Sequence, residues 1–247
     1  MAIADAFVDS ARSATSEAEL FNLLFHCCEA IGIRYFALVH HVDFGLDTAP
    51  AIRLHNYPET WQHWFDENRL GRSDPIHRAS QLTCAGFAWS AVPSMITLTP
   101  MDRSVLAQAR IVGIGDGYTV PANVPGEFTG SCSFAMDPGI PFPRHLHSAA
   151  QVLAGNAFDA ARRLANIRRI WPAPDRPITD RQRACLLWSA RGKTDWETSQ
   201  ILGISKGTVI QHLKHARERY DVHKTGELSI RALHDGMIAF SEVGGRR

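Results

Sequence analysis

Residues 178–220 read ITDRQRACLLWSARGKTDWETSQILGISKGTVIQHLKHARERY, and this stretch predicts two helices joined by a three-residue break. The apolar positions of the second helix recur at spacings of four, three and four: Val209, Leu213, Ala216 and Tyr220. This spacing places them on one face of a helix. The stretch therefore predicts a pair of helices, with the second packed through a narrow apolar stripe.

The break between the helices carries the residues that such a turn needs. Gly203 can adopt a left-handed conformation and end the first helix, and Ser205 can cap the second. Away from the stripe the second helix presents side chains that can reach phosphates and base edges: Lys206, Thr208, Gln211, His212, Lys214, His215 and Arg217. This arrangement is typical of a helix-turn-helix, whose second helix enters the major groove. An ordinary helical hairpin with a solvated basic face remains the alternative.

The charge distribution favours DNA as the partner of this C-terminal part. Residues 1–172 contain 13 arginines, no lysine and 16 acidic residues, whereas residues 173–247 contain 9 arginines, 4 lysines and 9 acidic residues. A net charge of −3 is thus followed by one of +4, so only the C-terminal part is expected to meet a polyanion. Because the excess is modest, we expect useful affinity to need two copies of the chain.

Length and composition describe an intracellular globular protein. The 247 residues are enough for one large domain or two ordinary ones. Five cysteines, of which Cys27 and Cys28 are adjacent, match neither a disulfide framework nor a metal-binding spacing, and we expect reduced, buried thiols. The N-terminus lacks the features of a signal peptide, and no run of about eighteen apolar residues predicts a membrane span. We therefore expect a cytoplasmic protein.

The order of predicted elements indicates an α+β domain followed by a linker. Helices are predicted at 16–31, 59–68, 74–82, 99–112 and 143–169, and strands at 35–42, 51–55, 86–89, 117–120 and 130–136. Strands flanked by helices, without regular βαβ alternation, are typical of an α+β sandwich. Residues 171–177 contain three prolines and predict a stiff linker. The expected domains are 1–170 for binding a small molecule and 178–247 for binding DNA.

Aromatic and acidic residues concentrate at positions 56–89. Tyr57, Trp61 and Phe65 are spaced four apart, which predicts that they share a helical face, and Asp74 and Trp89 follow. A phenol and an indole can donate hydrogen bonds, and an ionised carboxylate can only accept them. Such a set suits a small amphiphile with two carbonyls, one N–H and an apolar tail. Two simpler interpretations stay open: the aromatic residues form plain core, and Asp74, which precedes a proline, caps its own helix.

The chain closely resembles the LuxR-type quorum-sensing transcription regulators, which bind acyl-homoserine lactones. The residues that carry this resemblance extend along nearly the whole chain: Asn56-Tyr57-Pro58, Trp61, Phe65, Asp74-Pro75, Phe87-Ala88-Trp89-Ser90, Gly117-Tyr118-Thr119-Val120-Pro121 and 179–220. The order and spacing of Trp61, Asp74 and Trp89 match the family pattern without gaps. The resemblance implies an α-β-α sandwich around an antiparallel sheet, then a four-helix helix-turn-helix domain, and a homodimer as the active form.

The resemblance also implies roles for individual residues in the ligand site. Trp61 would donate to the lactone carbonyl, Tyr57 would donate to the acyl amide carbonyl, and Asp74 would accept the amide N–H. A further hydroxyl would come from Ser133, or from Ser131 if one residue is inserted near Thr129. The remaining implied positions form walls or an acyl tunnel: Trp89 and Phe65 as walls, and Phe36, Leu38 and Val112 along the tunnel.

Four residues depart from the family pattern. Phe65 stands where the family usually has Tyr, which removes a hydroxyl from the pocket. Gln182 replaces a Glu, so a structural ion pair becomes a neutral hydrogen bond. Ile210 replaces a polar or basic residue of the recognition helix, and Thr198 replaces an apolar residue of the helix before it. The last three departures bear on DNA affinity and operator sequence.

The sequence therefore predicts a ligand-responsive transcription regulator without a cofactor, whose partners are an autoinducer, promoter DNA, a second copy of the chain and RNA polymerase. The nearest alternative is a solo regulator that responds to another small molecule or to none. A phosphorylation-switched response regulator would need a parallel sheet with clustered acidic residues, which residues 1–172 lack. The Gly-x-Ser-x-Gly, His-Glu-x-x-His and phosphate-loop motifs are also absent from the sequence, so an enzyme is not expected.

Overall fold

The computed structural model describes residues 2–44, 46, 50–125, 127–167 and 176–244. Contacts divide the chain into two compact units, Met1–Arg168 and Arg169–Arg247. Residues 171–175 of the predicted linker lie outside the described residues. Within the described part of the chain, every helix is too short or too polar to cross a membrane.

The first unit alternates helices and strands. Its described elements are α1 (Ala2–Ser13), α2 (Glu17–Ala30), β1 (Tyr35–His40), β2 (Arg53–His55), α3 (Glu59–Glu67), α4 (Pro75–Ser80), β3 (Phe87–Ala88), α5 (Val92–Met95), α6 (Pro100–Ile111), β4 (Gly117–Pro121), β5 (Gly130–Ala135) and α7 (His147–Leu164). Each predicted helix and strand is present with shifted ends. The sequence did not predict α1 or α5, because α1 buries mainly small alanines and α5 is a single turn.

The five strands form one antiparallel sheet in the order β2-β1-β5-β4-β3. The two longest strands, β1 and β5, pair along their whole length, from Tyr35 opposite Ala135 to His40 opposite Gly130. Because side chains alternate across a strand, this pairing assigns each residue of the sheet to one of two faces. The predicted α+β class and antiparallel sheet are confirmed.

Helices cover both faces of the sheet and produce the α-β-α sandwich. On one face α2 and α7 pack against the sheet and α1 packs on both helices. That face is filled by Phe36, Leu38, Cys132 and Phe134, none of which is solvent-exposed. On the other face lies a second apolar cluster, which includes Trp61 of α3, Val105 and Ala109 of α6, and Ala135 of β5.

A close backbone approach at Gly71 fixes the chain between α3 and α4. A Cβ at this position would lie 1.9 Å from the carbonyl oxygen of Val42, which follows β1. No side chain can occupy that space without moving the backbone, so Gly71 lets the segment before α4 lie directly against the end of β1. The carbonyl oxygen of Gly71 also contacts Nδ1 of His77 at 2.8 Å.

The second unit is helical. Its described elements are α8 (Asp180–Ala190), α9 (Asp195–Leu202), α10 (Lys206–Tyr220), α11 (Thr225–His234) and the short α12 (Phe240–Val243), which adds a turn to the four expected helices. The apolar stripe predicted for α10 is buried in the core of this unit, since Val209, Leu213, Ala216 and Tyr220 are at most 4% exposed.

The break between α9 and α10 has the predicted turn geometry. Gly203 has a φ of +66°, in the left-handed region that favours glycine, and its N–H donates to the carbonyl of Ser199. Ser205 Oγ accepts from the N–H of Thr208 at 3.0 Å, which satisfies a free donor at the start of α10. The helix-turn-helix arrangement is therefore confirmed.

Two of the departures from the family pattern have visible structural consequences. Gln182 is buried and accepts a hydrogen bond from the N–H of Thr179 at 3.0 Å, so a neutral capping box closes the start of α8. Thr198 is fully buried in α9, and its hydroxyl has no hydrogen-bond partner among the described residues. A buried hydroxyl without a partner costs stability.

The cysteines are free, but not all are buried. Cys27, Cys28, Cys132 and Cys185 lie in the interior, whereas Cys84 is exposed in the loop before β3. Burial raises the pKa of Cys28 and of Cys132, so these thiols stay protonated. The expectation that every thiol is buried is wrong for Cys84, because it lies in a loop whose residues Leu82 and Ala85 are exposed as well.

Replacing Thr198 by valine should stabilise the second unit. Valine has nearly the same shape and removes the unpartnered hydroxyl, so we expect a gain of about 1–2 kcal/mol. Hydrogen exchange of the full chain, followed by mass spectrometry of peptides from α9 and α10, measures the free energy of local opening.

Thr208→Val is the matched control, because the Thr208 hydroxyl lies 2.8 Å from Ser205 Oγ at the start of α10. We expect this change to leave protection equal or lower. Faster exchange of α9 in Thr198→Val than in the native chain would show that the buried hydroxyl is not a cost.

Candidate functional site

A cavity of about 780 Å³ of empty space, its mouth included, lies on the face of the sheet that α3, α4 and α6 cover. The lining includes the six predicted positions Tyr57, Trp61, Phe65, Asp74, Trp89 and Ser133. The cavity lining comes from six elements, β1, β2, α3, α4, α6 and β5, and from their connections.

The two carboxylate oxygens of Asp74 have different surroundings: one caps a helix, and the other lies at the cavity. Oδ1 accepts the N–H groups of Ile76 at 2.8 Å and His77 at 3.0 Å, and Pro75 occupies the first position of α4. Asp74 is therefore the N-cap of α4, as one of the simpler interpretations held. Oδ2 receives no hydrogen bond from any described residue, although Asp74 is only 5% exposed. The second oxygen remains as a hydrogen-bond acceptor at the cavity wall.

Tyr57 supplies a phenol to the same space. It lies before α3, which begins at Glu59, so the expectation that it shares a helical face with Trp61 is wrong. Pro58 is the N-cap of α3, and the chain ahead of a proline is restricted to extended conformations. Burial and, next, the charge of Asp74 raise the pKa of Tyr57, so its hydroxyl stays protonated. Its hydroxyl makes no hydrogen bond to any described residue and is free to donate.

Trp61 projects from the first turns of α3. Its ring lies 5.5 Å from that of Trp64 and 5.7 Å from that of Phe65, measured between centroids. Trp61 is 8% exposed, and its indole N–H has no acceptor among the described residues. A buried indole usually finds an acceptor, so this N–H is a second donor that the protein itself leaves unsatisfied.

Trp89 and Ser133 belong to a hydrogen-bonded chain. The indole N–H of Trp89 donates to Thr119 Oγ1 at 2.8 Å, and Thr119 Oγ1 lies 2.7 Å from Ser133 Oγ. The ring of Trp89 lies over Gly117, where a Cβ would come within 2.6 Å of the indole. Trp89 therefore serves as a wall with its polar atom satisfied, and Ser133 lines the cavity.

The other serine considered for this position has a different partner. Ser131 Oγ lies 2.9 Å from Nε2 of His41, and both residues are buried. The structure thus places Ser133 next to the Tyr57, Trp61 and Asp74 group and places Ser131 one pleat repeat further along β5.

The three predicted tunnel residues do not line the cavity. Phe36 and Leu38 point to the opposite face of the sheet, where they pack with the α2 and α7 core. Their neighbours Ala37 and Val39 line the cavity instead, because alternate residues of a strand face opposite sides. Val112 caps the end of α6 and packs against the Trp61 cluster from outside the cavity.

Sequence reasoning missed several cavity residues that come from β2 and from the chain after Asp74. Arg53 and His55 face the cavity because they pair with Val39 and Ala37. His77 lines it three residues after Asp74. The alternation along β2 was a usable signal, but only once its pairing with β1 was known.

The predicted DNA-contacting residues differ in exposure. Lys206, Gln211, Lys214 and His215 are exposed on α10, whereas Thr208, His212 and Arg217 are half-buried. Arg217 donates to Thr225 Oγ1 at 2.9 Å, which ties α10 to the start of α11. Ile210 is 45% exposed on the same helix. An exposed isoleucine among cationic and amide side chains is the feature that the sequence indicated.

Both units of the chain match models of known protein families. Residues 16–161 match the autoinducer binding domain, and residues 176–232 match the bacterial regulatory proteins of the luxR family. The chain belongs to the LuxR family of quorum-sensing transcription regulators, with an autoinducer-binding domain and a helix-turn-helix domain. Members of this family are transcriptional regulators and not enzymes.

Similar proteins and solved structures agree with the assignment to the LuxR family. The quorum sensing-dependent transcriptional regulator RpaR of Rhodopseudomonas palustris is 29% identical over 76% of each chain. The transcriptional activator LuxR of Aliivibrio fischeri is 22% identical over 94% of this chain and 92% of its own. SdiA of Escherichia coli has a similar fold, with a TM-score of 0.60 at 20% identity over 96% of this chain and 98% of its own. A structure of SdiA in complex with octanoyl-rac-glycerol has a TM-score of 0.58 at 20% identity, over 94% and 93%.

Proposed function

We propose that the cavity binds an N-acyl-homoserine lactone and that the ligand-bound chain, as a dimer, regulates transcription by binding promoter DNA through α10. One observation carries the proposal. Tyr57, Trp61 and Asp74 line one cavity, and the Tyr57 hydroxyl, the Trp61 N–H and Asp74 Oδ2 make no hydrogen bond to any described residue.

The polarity of these three atoms fits the head of such a ligand. An acyl-homoserine lactone offers a lactone carbonyl and an amide carbonyl as acceptors, and one amide N–H as a donor. Trp61 and Tyr57 would donate to the two carbonyls, and Asp74 would accept the N–H. Trp89 and Phe65 form walls beside this group, while Ser133 adds a hydroxyl at the sheet.

Ligand binding would stabilise the first unit through the same contacts. The ligand would form hydrogen bonds with polar atoms that make none within the chain, and each such bond in a shielded site adds to stability. Free ligand at about a hundred times its dissociation constant stabilises the binding-competent state by about 2.7 kcal/mol. A gain of this size is a large part of the stability of an ordinary domain. Signal concentration would thereby control how much of the chain is available for DNA.

The DNA-binding output would use two copies of the chain. The net charge of residues 173–247 is only +4, which supports weak binding by a single copy. Two recognition helices on adjacent half-sites would double the phosphate contacts. We propose residues 1–170 as the ligand-binding and dimerisation domain, 171–177 as the linker and 178–247 as the DNA-binding domain, with RNA polymerase as a further partner.

A second candidate is a regulator that responds to a different amphiphile. SdiA, a protein of similar fold, has a solved structure in complex with octanoyl-rac-glycerol. A glycerol hydroxyl could donate to Asp74 Oδ2 in place of an amide, and the absence of a hydroxyl on Phe65 leaves this part of the wall apolar. Measuring the affinity of the full chain for octanoyl-rac-glycerol beside its affinities for N-acyl-homoserine lactones separates the two candidates.

The variant Asp74→Asn should lose lactone binding while keeping α4 intact. The side-chain carbonyl of asparagine can still cap the N–H groups of Ile76 and His77, but the amide group at the cavity donates where an acceptor is needed. We expect affinity to fall about tenfold or more. Thermal shifts of the full chain, with a panel of N-acyl-homoserine lactones of graded chain length, measure the effect.

Asp102→Asn is the matched control. Asp102 is also a buried carboxylate at a helix start, bonded to Thr99 and Arg78, and it lies outside the cavity lining. We expect this variant to lower the melting temperature and to preserve the lactone-induced shift. An unchanged lactone response in Asp74→Asn would remove Asp74 from the ligand site.

The variant Ile210→Lys should strengthen binding to duplex DNA of any sequence. If position 210 faces a phosphate, the added charge releases about one more counterion from the DNA. A plot of log affinity against log salt concentration should then become steeper by about one unit. Fluorescence anisotropy at several salt concentrations measures this slope. Ile201→Lys adds the same charge on α9, at a residue equally exposed, and should leave the slope nearly unchanged. An unchanged slope in Ile210→Lys would place this residue off the DNA.

A further inference from the structure

The cavity continues along the sheet beyond the group formed by Tyr57, Trp61 and Asp74. Residues that pair across β2, β1 and β5 form rows on the cavity face of the sheet. The first row is His55, Ala37 and Ser133, and the next row is Arg53, Val39 and Ser131. Successive rows on one face are two residues apart, which is about 7 Å. Tyr57 lies two residues past His55, on the opposite side from Arg53. The second row therefore marks the end of the cavity that a ligand's tail would reach.

Flat rings, and not only aliphatic side chains, surround this end. His77 and Phe65 both line the cavity, with ring centroids 5.8 Å apart at a steep angle. Phe44 also lines it and carries the Arg53 guanidinium over its ring at 4.6 Å. The cavity end is thus apolar on its faces but contains imidazole nitrogens that a plain alkyl chain cannot satisfy.

The hydrogen bond to Gly71 determines which ring nitrogen of His77 carries the proton. Nδ1 lies 2.8 Å from the carbonyl oxygen of Gly71, and a carbonyl oxygen can only accept. Nδ1 must therefore carry the proton and donate it. In the neutral imidazole, Nε2 is left with a lone pair, and Nε2 makes no hydrogen bond to any described residue. His77 thus offers an acceptor to whatever occupies this end.

A second histidine holds the His77 ring in place. The ring of His41 stacks on that of His77 with centroids 3.9 Å apart and planes 14° from parallel, and His41 Nε2 contacts Ser131. Burial, followed by the neighbouring His77 and His40, lowers the pKa of His41 well below its usual value, so this ring stays neutral. The His77 acceptor is therefore preorganised by packing on one face and by Gly71 at its edge.

We propose that the end of the cavity near His77 recognises a hydroxyl group at the far end of the ligand's acyl chain. This rests on the proposed function, since it assumes that the head of the ligand binds at Asp74. A hydroxyl donates to Nε2 of His77, and its oxygen can also accept from a second group.

Other tail chemistries fit this end less well. A methyl terminus would leave Nε2 of His77 desolvated without a donor, which costs binding free energy. A keto oxygen only accepts and would face another acceptor. A carboxylate would need a free cation, but the Arg53 guanidinium already makes two hydrogen bonds to Asp66, at 3.0 and 2.9 Å.

The test uses pairs of N-acyl-homoserine lactones of equal chain length, with and without a hydroxyl on the terminal carbon. Isothermal titration calorimetry of the full chain measures both affinities. We expect the hydroxylated member to bind about fivefold to tenfold tighter at the chain length that reaches His77, which is the effect of one satisfied hydrogen bond. The variant His77→Phe keeps a flat ring between His41 and Phe65 and should lose this preference.

His63→Phe is the matched control, because His63 is exposed on α3 and the same substitution there should leave the preference intact. Equal binding of both members of every pair to the native chain would overturn the proposal while leaving the proposed function in place. Failure of every lactone to bind would instead contradict the proposed function. A preference that persists in His77→Phe would assign the hydroxyl to another acceptor and also overturn the proposal. The native-chain comparison decides the question even if the variant does not fold.

Discussion

The carboxylate of Asp74 joins the fold of the first unit to its ligand cavity. One oxygen holds the first N–H groups of α4, and the other faces the cavity without a partner. The cap starts the helix that covers the cavity, so the residue that builds the wall also supplies its acceptor. A buried carboxylate is tolerated here because Oδ1 is fully used. Under the proposed function, a ligand N–H that donates to Oδ2 would stabilise the liganded state.

In the proposed function, the two roles of Asp74 would let a small molecule control DNA binding. The Tyr57 hydroxyl, held protonated by burial and by Asp74, and the Trp61 N–H add two donors to the single acceptor. A ligand with complementary polarity would form hydrogen bonds with all three at once and would thereby stabilise the first unit. The second unit needs no change of its own fold, because α10 is already capped by Ser205 and packed through its apolar stripe.

Helix caps, turns and buried helix faces depend on residues close together in sequence, and the sequence predicted these features. The sequence Asp74-Pro75 predicted an N-cap, Gly203 and Ser205 predicted the turn, and the spacing along α10 predicted its buried face. Long-range pairing was less accessible. Phe36 and Leu38 were assigned to the cavity although they face the other side of the sheet, because alternation alone does not say which side is which. His55 and His77 were missed for the same reason: their place depends on register with β1 and on the Gly71 contact.

The most direct test compares an N-acyl-homoserine lactone with an analogue in which an ester oxygen replaces the amide N–H. The two molecules differ only in the donor that Asp74 Oδ2 would accept. Calorimetric titration of the full chain should show the amide binding about tenfold tighter or more, and the Asp74→Asn variant should remove that difference. Equal affinities of the native chain for the amide and the ester would contradict the role given to Asp74, and with it the link between the helix cap and the ligand.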